Sequence, residues 1–152
     1  MDKYESLKLK NQLCFPIYLC SKEIIKKYTP YLDSINLTYT QYIVMLYMWE
    51  VKSTNVSDLG KVLLLDSSTL SPLLKKLEIK GYLSRKRLKE DERNLEITLT
   101  SEGEGLKDKA LDIPTKMGKC INLSDKEIIT LYNLMYKILL NVEEDNNDNR
   151  NK

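Results

Sequence analysis

The spacing of the apolar residues changes at Gly81, and this change limits the folds that the chain can adopt. Before Gly81, apolar side chains recur every three or four residues, which is the period of amphipathic helices. After it come two short segments, 82–88 and 95–100, and the second alternates between apolar and polar residues. The charged segment 89–94 between them is typical of a hairpin tip. We therefore expect one β-hairpin within a helical protein.

Four helices are predicted before the hairpin, at about 7–31, 39–50, 56–64 and 67–80. In the first of them, Pro16 either kinks the helix or marks its first turn. The segment 52–55 is predicted to be a polar loop, and Asp66-Ser67 is predicted to cap the fourth helix. Gly81 is placed to end that helix as a C′ glycine.

Two more helices are predicted after the hairpin. Thr100 or Ser101 caps the first, with Glu104 downstream as a loose capping box, and Pro114 interrupts it. The S-x-x-E sequence at 124–127 is a capping box for the last helix. The apolar stripe of that helix consists of Ile128, Leu131, Leu134, Met135, Ile138, Leu139 and Val142.

Two short helices joined by a brief turn and followed by a hairpin indicate a winged helix-turn-helix. We expect a mainly α fold with a small β-hairpin, in which the winged helix occupies about 37–100. The flanking helices at about 7–34 and 101–142 have more apolar surface than this unit can cover, so they are predicted to be dimerisation helices. One domain, 1–142, is expected, and the polar composition of 143–152 predicts a disordered acidic tail.

The residue types present exclude several kinds of chemistry. The chain has no His, which removes the commonest general base, the Ser-His-Asp triad and the usual zinc sites, and no cofactor or metal is expected. No apolar run reaches the roughly 18 residues of a membrane span. The polar start, Met1 to Glu5, is unlike a secretion signal and favours a cytoplasmic location. In that compartment Cys14, Cys20 and Cys120 are not expected to form a structural disulfide framework.

Positive charge is concentrated around the hairpin, although the net charge of the chain is only +2. Between Lys75 and Arg93 there are eight Lys or Arg residues against four acidic ones. A localised basic segment suits contact with the phosphates of double-stranded DNA. The alternative is an ordinary solvated face.

The fourth helix carries small polar residues near its N-terminus, as a helix that reads base edges in the major groove does. The candidate DNA-binding residues of this helix are Ser67, Ser68, Thr69, Ser71, Lys75 and Lys76. A capping role alone explains Ser67 but not the whole cluster.

The hairpin supplies the remaining candidates for DNA binding. Arg93 is placed to enter the minor groove, where a narrow groove concentrates negative potential, and Asp91 is placed to hold its guanidinium by a charge-assisted hydrogen bond. Phosphate contacts are expected from Arg85, Lys86, Arg87 and Lys89.

These segments carry a resemblance to a known family. Residues 91–100 resemble the D-x-R…L-T wing motif of the MarR family of dimeric transcription regulators, and 65–74 resemble its recognition helix. The match covers about 7–142. It implies a winged-helix homodimer, joined through its N- and C-terminal helices, that binds a pseudo-palindromic operator and acts as a repressor.

A second motif is similar to a narrower branch, the organic-hydroperoxide-sensing (OhrR- and SarZ-like) regulators. It comprises N-Q-L-C-F at 11–15, supported by 36–42, whereas Pro16 departs from the pattern. The resemblance implies that Cys14 is the oxidant sensor. It also implies hydrogen bonds to this cysteine from tyrosines, some of them from the other subunit. These tyrosines are Tyr18, Tyr28 and Tyr39.

The chemistry of Cys14 can also be argued from the residues. A peroxide reacts with a thiolate, so a sensing cysteine needs a lowered pKa and a route to solvent. Without His, a helix N-terminus or hydroxyl donors must stabilise the thiolate, and seven of the ten tyrosines lie in the first third of the chain. The alternative is that Cys14 is an inert buried thiol among packing tyrosines.

The other two cysteines have different expected roles. On a helix, Cys20 lies about 240° around and about 9 Å along from Cys14, too far for a disulfide, and is interpreted as a packing residue. The resemblance implies that Cys120 is a candidate resolving cysteine, which forms an intersubunit disulfide with oxidised Cys14. The alternative is that a small thiol caps Cys14.

The predicted function is that of a redox-sensing DNA-binding transcription regulator in the response to oxidative stress, and not of an enzyme. It releases its operator when an organic hydroperoxide oxidises Cys14. Three alternatives remain open: a MarR-type regulator that responds to a small aromatic ligand, a thiol peroxidase, and a dimeric adaptor that binds only proteins.

Overall fold

A computed structural model of the protein describes residues 3–88 and 91–150, with side chains for 3–87 and 95–142. The helices are α1 (Cys14–Asp33), α2 (Tyr39–Val51), α3 (Val56–Leu63), α4 (Ser67–Ile79), α5 (Ser101–Ala110), α6 (Ile113–Ile121) and α7 (Asp125–Arg150). The strands are β1 (Ser53–Asn55), β2 (Leu83–Leu88) and β3 (Asp91–Leu99). Two 3₁₀ turns, Glu5–Leu7 and Leu9–Asn11, precede α1.

The three strands form one antiparallel sheet in the order β1-β3-β2. The predicted hairpin of β2 and β3 is present, with a register shift between Arg87 and Leu88. The prediction of a loop at 52–55 is wrong, because Ser53–Asn55 pairs with β3, and the Leu99 N–H donates to the Lys52 carbonyl at 2.8 Å. The free edge of β3 offers backbone groups that need partners, and this neighbouring segment satisfies them.

The first helix begins at Cys14 and not at residue 7, so Pro16 is its third residue. The amide that proline lacks would have no partner within the helix at that position, and the proline therefore lies in the first turn without breaking a bond. Two outcomes were predicted for Pro16, a kink or a position in the first turn of the helix. The structure shows the position in the first turn.

Side-chain caps define the N-terminal ends of α2, α3, α4 and α5. Thr38 forms a capping box with Gln41: the Gln41 N–H donates to Thr38 Oγ1 at 3.3 Å, and the Thr38 N–H donates to Gln41 Oε1 at 3.1 Å. Thr100 caps α5, but the Glu104 carboxylate forms an ion pair with Lys52 and takes no part in a capping box. Gly81 follows α4 with φ of 79°, in the left-handed region that glycine tolerates.

The chain forms two compact units, Met1–Met117 and Gly118–Lys152. The core of the first unit comes mainly from α2, α4 and the sheet, and α1, α3, α5 and α6 contribute further buried residues, among them Leu32, Leu59, Leu106 and Met117. The inward face of α4 consists of leucines that are at most 8% exposed: Leu70, Leu73, Leu74 and Leu77. Trp49 adds a polar link within this core, because its Nε1–H donates to the Gly103 carbonyl at 2.8 Å.

The second unit contains α7, whose predicted apolar stripe lies largely on the surface of the chain. Ile128, Leu131, Leu134, Ile138, Leu139 and Val142 are 40–54% exposed. The backbone of α7 continues to Arg150, whereas the composition predicts disorder from 143; that segment lacks the Pro or Gly that would end a helix. Among the described residues, no helix has the length and apolar character needed to cross a bilayer.

Candidate nucleic-acid interface and thiol site

The first turn of α4 is fixed by its cap, Asp66. Its carboxylate accepts hydrogen bonds from the Ser68 hydroxyl at 2.6 Å and from the Thr69 N–H at 2.7 Å. These bonds, that of Ser68 first, hold the pKa of Asp66 below its ordinary value. The Ser71 hydroxyl donates to the Ser67 carbonyl at 2.7 Å. The small polar residues of the helix are thus held in defined positions before any ligand arrives.

The predicted DNA-binding residues of α4 divide between two faces of the helix. A turn of about 100° per residue puts Ser67, Ser68, Ser71 and Lys75 on one face, and all four are exposed. Thr69 and Lys76 lie on the neighbouring face and line a cavity against α2. The structure therefore brings four of the six candidates together on one face.

The cavity between α2 and α4 has a volume of about 600 Å³. Its lining residues come from the first turn of α2 with its cap, and from α4 with the residue after it: Thr38, Thr40, Gln41, Thr69, Pro72, Leu73, Lys76, Ile79 and Lys80. It is open to solvent and is lined by apolar side chains together with hydroxyl, amide and ammonium groups.

Lys80, directly after α4, connects that helix to the start of α2. Its Nζ donates to the Asn36 carbonyl at 2.6 Å and to Gln41 Oε1 at 2.9 Å. Burial, together with the charge of Lys76, lowers the pKa of Lys80. Sequence reasoning missed this residue because nothing local marks a lysine whose acceptors lie about forty residues earlier in the chain.

The wing strands place the predicted basic residues differently from one another. Lys86 and Arg87 are exposed, as phosphate contacts require. Arg85 is 21% exposed in its side chain, and its guanidinium is bound to the Glu78 carboxylate on α4. Lys89 lies outside the described residues, as do the side chains of Asp91 and Arg93, so their predicted roles stay predictions.

Cys14 is the first residue of α1 and is exposed in the chain. Cys14 therefore lies at the positive end of the α1 dipole. Of the next two residues of this turn, the Phe15 N–H donates to the Gln12 carbonyl at 3.3 Å and Pro16 has no amide. The alternative of a buried Cys14 is not what the chain shows. Cys20, interpreted as a packing residue, is also exposed, and so is Cys120 on α6.

Asn11 and Gln12 of the N-Q-L-C-F motif hold the chain before Cys14 in place. The Asn11 amide donates to the Glu5 carbonyl at 2.7 Å, and the Gln12 amide donates to the Ser6 carbonyl at 2.5 Å. These bonds close the two 3₁₀ turns that lead into α1. The motif identifies the cysteine in the sequence. The structure shows that its first two residues, Asn11 and Gln12, fix the segment that precedes the cysteine.

The three predicted tyrosines are not gathered around Cys14 of the same chain. Tyr18, one turn further along α1, is 60% exposed, with the Lys22 ammonium 6.0 Å from its ring centre. Tyr28 and Tyr39 do come together, with ring centres 5.0 Å apart. Fourteen residues of helix separate Tyr28 from Cys14, which is about 21 Å. Tyr28 therefore cannot reach Cys14 of its own chain.

Tyr42 joins the pair as a third aromatic residue, with its ring centre 5.9 Å from that of Tyr28. Burial, and next the neighbouring Tyr39, raises the pKa of Tyr28; burial likewise raises the pKa of Tyr42. Both hydroxyls consequently stay protonated and able to donate. Among the residues described, no group of three Cys, Asp or Glu is arranged to hold a metal ion.

The winged helix, the exposed polar face of α4 and the basic β2 strand define a MarR-type transcription regulator, and the predicted fold class is confirmed. Residues 22–110 match the sequence profile of the transcriptional regulators SarA/Rot. The protein belongs to this SarA/Rot family. Because the family consists of transcriptional regulators and not of enzymes, the thiol peroxidase alternative is wrong.

Individual relatives confirm the predicted branch. The chain is 41% identical over 145 residues to the organic hydroperoxide resistance transcriptional regulator of Bacillus subtilis, covering 95% of this chain and 99% of that protein. It is 46% identical over 133 residues to the HTH-type transcriptional regulator SarZ of Staphylococcus haemolyticus, covering 88% and 90%.

Solved structures of AbfR are similar to this chain as well. The reduced protein bound to DNA gives a TM-score of 0.76 at 33% identity, with 92% of this chain and 98% of that chain covered. The disulfide-formed protein gives a TM-score of 0.64 at 32% identity, with 93% and 97% covered.

Proposed function

We propose that this protein is a homodimeric repressor that releases its DNA operator when an organic hydroperoxide oxidises Cys14. The observation that carries the proposal is the position of Cys14, an exposed thiol on the first turn of a helix in a chain without histidine. A thiol at this place lies at the positive end of the α1 dipole and has solvent access for the oxidant. The relatives include a regulator named for organic hydroperoxide resistance.

The sensing step is a two-electron oxidation of the thiolate. The Cys14 sulfur attacks one peroxide oxygen, so that an S–O bond forms and the O–O bond breaks. The sulfur becomes a sulfenic acid, and the second oxygen takes a proton and leaves as an alcohol. A thiol then displaces water from the sulfenic acid to give a disulfide.

DNA contact is assigned to α4 and the wing. Ser67, Ser68 and Ser71 present hydroxyls to base edges, and Lys75 follows on the same face. Lys86 and Arg87 contact phosphates, and the sequence adds Lys89 for phosphates and Arg93, supported by Asp91, for the minor groove. Arg85 is reassigned from a phosphate contact to a residue that positions the wing, since Glu78 already occupies its guanidinium.

Dimerisation follows from the exposed apolar residues and from the tyrosines. The stripe of α7 exposes leucine, isoleucine and valine side chains to an extent that a second subunit would cover. Because Tyr28 cannot reach Cys14 of its own chain, Tyr28 and Tyr39 are proposed to serve the Cys14 of the partner subunit. Two copies of α4 would then read the two halves of a pseudo-palindromic site, in the cytoplasm where the bacterial DNA lies.

A gel-shift titration with purified operator DNA tests the proposal. The wild-type protein should bind the operator under reducing conditions and dissociate from it after treatment with cumene hydroperoxide. Cys14→Ser should bind and no longer respond, whereas Cys20→Ser, the matched control on the same helix, should respond like the wild type. Release of DNA by oxidised Cys14→Ser protein would overturn the assignment of the sensor.

The fate of the sulfenic acid separates two versions of the proposal. If Cys120 resolves it, non-reducing electrophoresis shows a covalent dimer that Cys120→Ser abolishes. If a small thiol caps Cys14, the intact mass rises by the mass of that thiol less two hydrogen atoms, and no covalent dimer forms.

The cavity between α2 and α4 favours a second candidate function, regulation by a small aromatic ligand. Lys76 and Lys80 at its wall suit a carboxylate or phenolate. Release of DNA by salicylate in the Cys14→Ser variant would support this candidate. Unchanged DNA binding at saturating salicylate would exclude it.

A further inference from the structure

We propose that Lys80 is a positioning residue that couples the Tyr28–Tyr39 pair to the recognition helix α4. The inference rests on the proposed function, in which this tyrosine pair serves the sensing cysteine of the partner subunit. It assigns to one side chain the step between the thiol site and the helix that contacts DNA.

Three segments of the fold meet at the Lys80 ammonium. Lys80 itself follows the last residue of α4, and its two acceptors are the Asn36 carbonyl, between α1 and α2, and Gln41 Oε1, in the first turn of α2. Gln41 is only 3% exposed, and the same Oε1 accepts the Thr38 N–H of the capping box at 3.1 Å. The ammonium thus binds to groups that are themselves held in place.

The joint between α1 and α2 is anchored in the core. Leu32, Ile35 and Leu37 are each at most 5% exposed, and the Leu37 N–H donates to the Leu32 carbonyl at 2.9 Å. Asn36, between them, has φ of 56°, a left-handed conformation that an asparagine tolerates. The direction of its carbonyl is therefore set by buried neighbours, and the Lys80 ammonium donates a hydrogen bond to that carbonyl.

The tyrosine pair enters this arrangement through α2. Tyr39 is the first residue of α2 and contacts the Tyr28 ring from α1. Gln41 lies two residues further in the same helical turn. A shift of Tyr39 that follows oxidation of the partner's thiol would move the first turn of α2, and Gln41 would move with it.

Lys80 is the directional connection from that turn to α4. The apolar residues of α4, such as Leu73, are held in the core by hydrophobic attraction, which has no directional preference. The two ammonium hydrogen bonds have fixed acceptors and weaken steeply when distance or angle changes. A coupling of this kind is established only by measuring it.

Hydrogen exchange on the full-length reduced protein, without DNA or oxidant, provides that measurement. Tyr39→Ala imitates loss of the tyrosine contact. In protein that retains the wild-type Lys80, it should raise the exchange rate of the α4 amides, 67–79, at least fivefold. That factor is the lower end of typical coupling between sites. In the Lys80→Met background the same substitution should change α4 exchange less than twofold, whereas Lys80→Arg, which keeps two donors, should restore the response.

Two outcomes would overturn the inference: an equal effect of Tyr39→Ala in both backgrounds, or no effect on α4 in either. Lys109→Met, an exposed lysine of α5, is the control and should leave the Tyr39→Ala effect intact. Lys80→Leu replaces Lys80→Met should the latter not fold. Because the measurement uses neither peroxide nor operator, its failure is distinct from a failure of the gel-shift test above.

Discussion

Arg85 of strand β2 binds Glu78 of helix α4 through three hydrogen bonds to one carboxylate. Nη2 and Nε of Arg85 donate to Glu78 Oε2 at 2.6 and 2.8 Å, and the Arg85 backbone N–H donates to Oε1 at 3.2 Å. The wing strand is thereby joined to the last turn of the recognition helix. Only residues 80–82 connect the helix to the wing strand, and this contact is a second link between the two elements.

The Glu78–Arg85 pair should make the stability of the protein depend on pH. Arg85, through its side-chain hydrogen bonds, holds the pKa of Glu78 below its ordinary value. Stabilisation is therefore complete above about pH 4.5, the ordinary value, and is lost as pH falls through the lowered value of the folded state. Glu78→Gln should reduce the free energy of unfolding by about 0.5–1 kcal/mol at pH 7. Urea denaturation from pH 3 to 7 should show this difference shrinking toward the acidic end.

Glu50→Gln is the matched control, since Glu50 is an exposed glutamate of α2. It should alter the free energy of unfolding by less than about 0.5 kcal/mol at every pH. A Glu78→Gln difference that stays constant down to pH 3 would contradict the ionic origin of the contact.

The reassignment of Arg85 predicts a distinctive salt dependence of DNA binding. A residue that contacts phosphate releases a counterion, so Lys86→Met should reduce the slope of log K against log salt by about 0.9. Arg85→Met should weaken binding through a displaced wing and leave that slope unchanged. Fluorescence anisotropy between 50 and 300 mM salt measures both, and a reduced slope for Arg85→Met would restore Arg85 as a phosphate contact.

Gly103 allows no side chain, whereas Gly105, two residues further along α5, does. A Cβ at Gly103 would lie 2.2 Å from the Tyr82 carbonyl oxygen, and no atom lies within 4 Å of a Cβ at Gly105. Gly103→Ala must shift backbone that also accepts the Trp49 hydrogen bond. It should cost about 2–4 kcal/mol of unfolding free energy.

The control substitution, Gly105→Ala, should instead stabilise the protein by about 0.5–1 kcal/mol, because alanine favours a helix interior. Urea denaturation followed by circular dichroism measures both variants. Equal effects of the two substitutions would mean that the close approach of Gly103 to Tyr82 does not exist in solution.

Local signals in the sequence were sufficient for the hairpin and for several helix ends, but not for the start of α1 or the end of α7. Asp66 and Gly81 act on residues within four positions of themselves, and their roles as cap and helix stop are found where predicted. Strand β1 was missed because the polar S-T-N segment becomes a strand only through pairing with 96–98. Its neighbours in the sheet are more than forty residues away, and sequence patterns do not report such pairings.

The candidate site likewise contains residues that local sequence motifs predict and residues whose roles depend on the fold. The N-Q-L-C-F motif identified Cys14, and the serine cluster identified the exposed face of α4. Charge alone could not separate Arg85 from Arg87, because only the fold brings Glu78 next to Arg85. Likewise Lys80 is an ordinary lysine in the sequence, and its role depends on acceptors that α2 and its preceding turn supply.

The separation of Tyr28 from Cys14 predicts that the sensing site is completed between subunits. We expect Tyr28→Phe/Tyr39→Phe homodimers to keep the ring contact but lose both hydroxyls. Their Cys14 should react with cumene hydroperoxide about tenfold more slowly, which corresponds to about 1.4 kcal/mol of lost hydrogen bonding.

A heterodimer of this double variant with Cys14→Ser tests the arrangement directly. The Cys14 left in that heterodimer belongs to the chain whose own Tyr28 and Tyr39 are replaced, and it faces intact tyrosines only across the interface. Intact mass against time should therefore show the wild-type rate of oxidation for this thiol. If it reacts as slowly as in the double-variant homodimer, the tyrosines do not act across the subunits. A rearrangement within one chain must then bring Tyr28 to Cys14 over the separation of about 21 Å along α1.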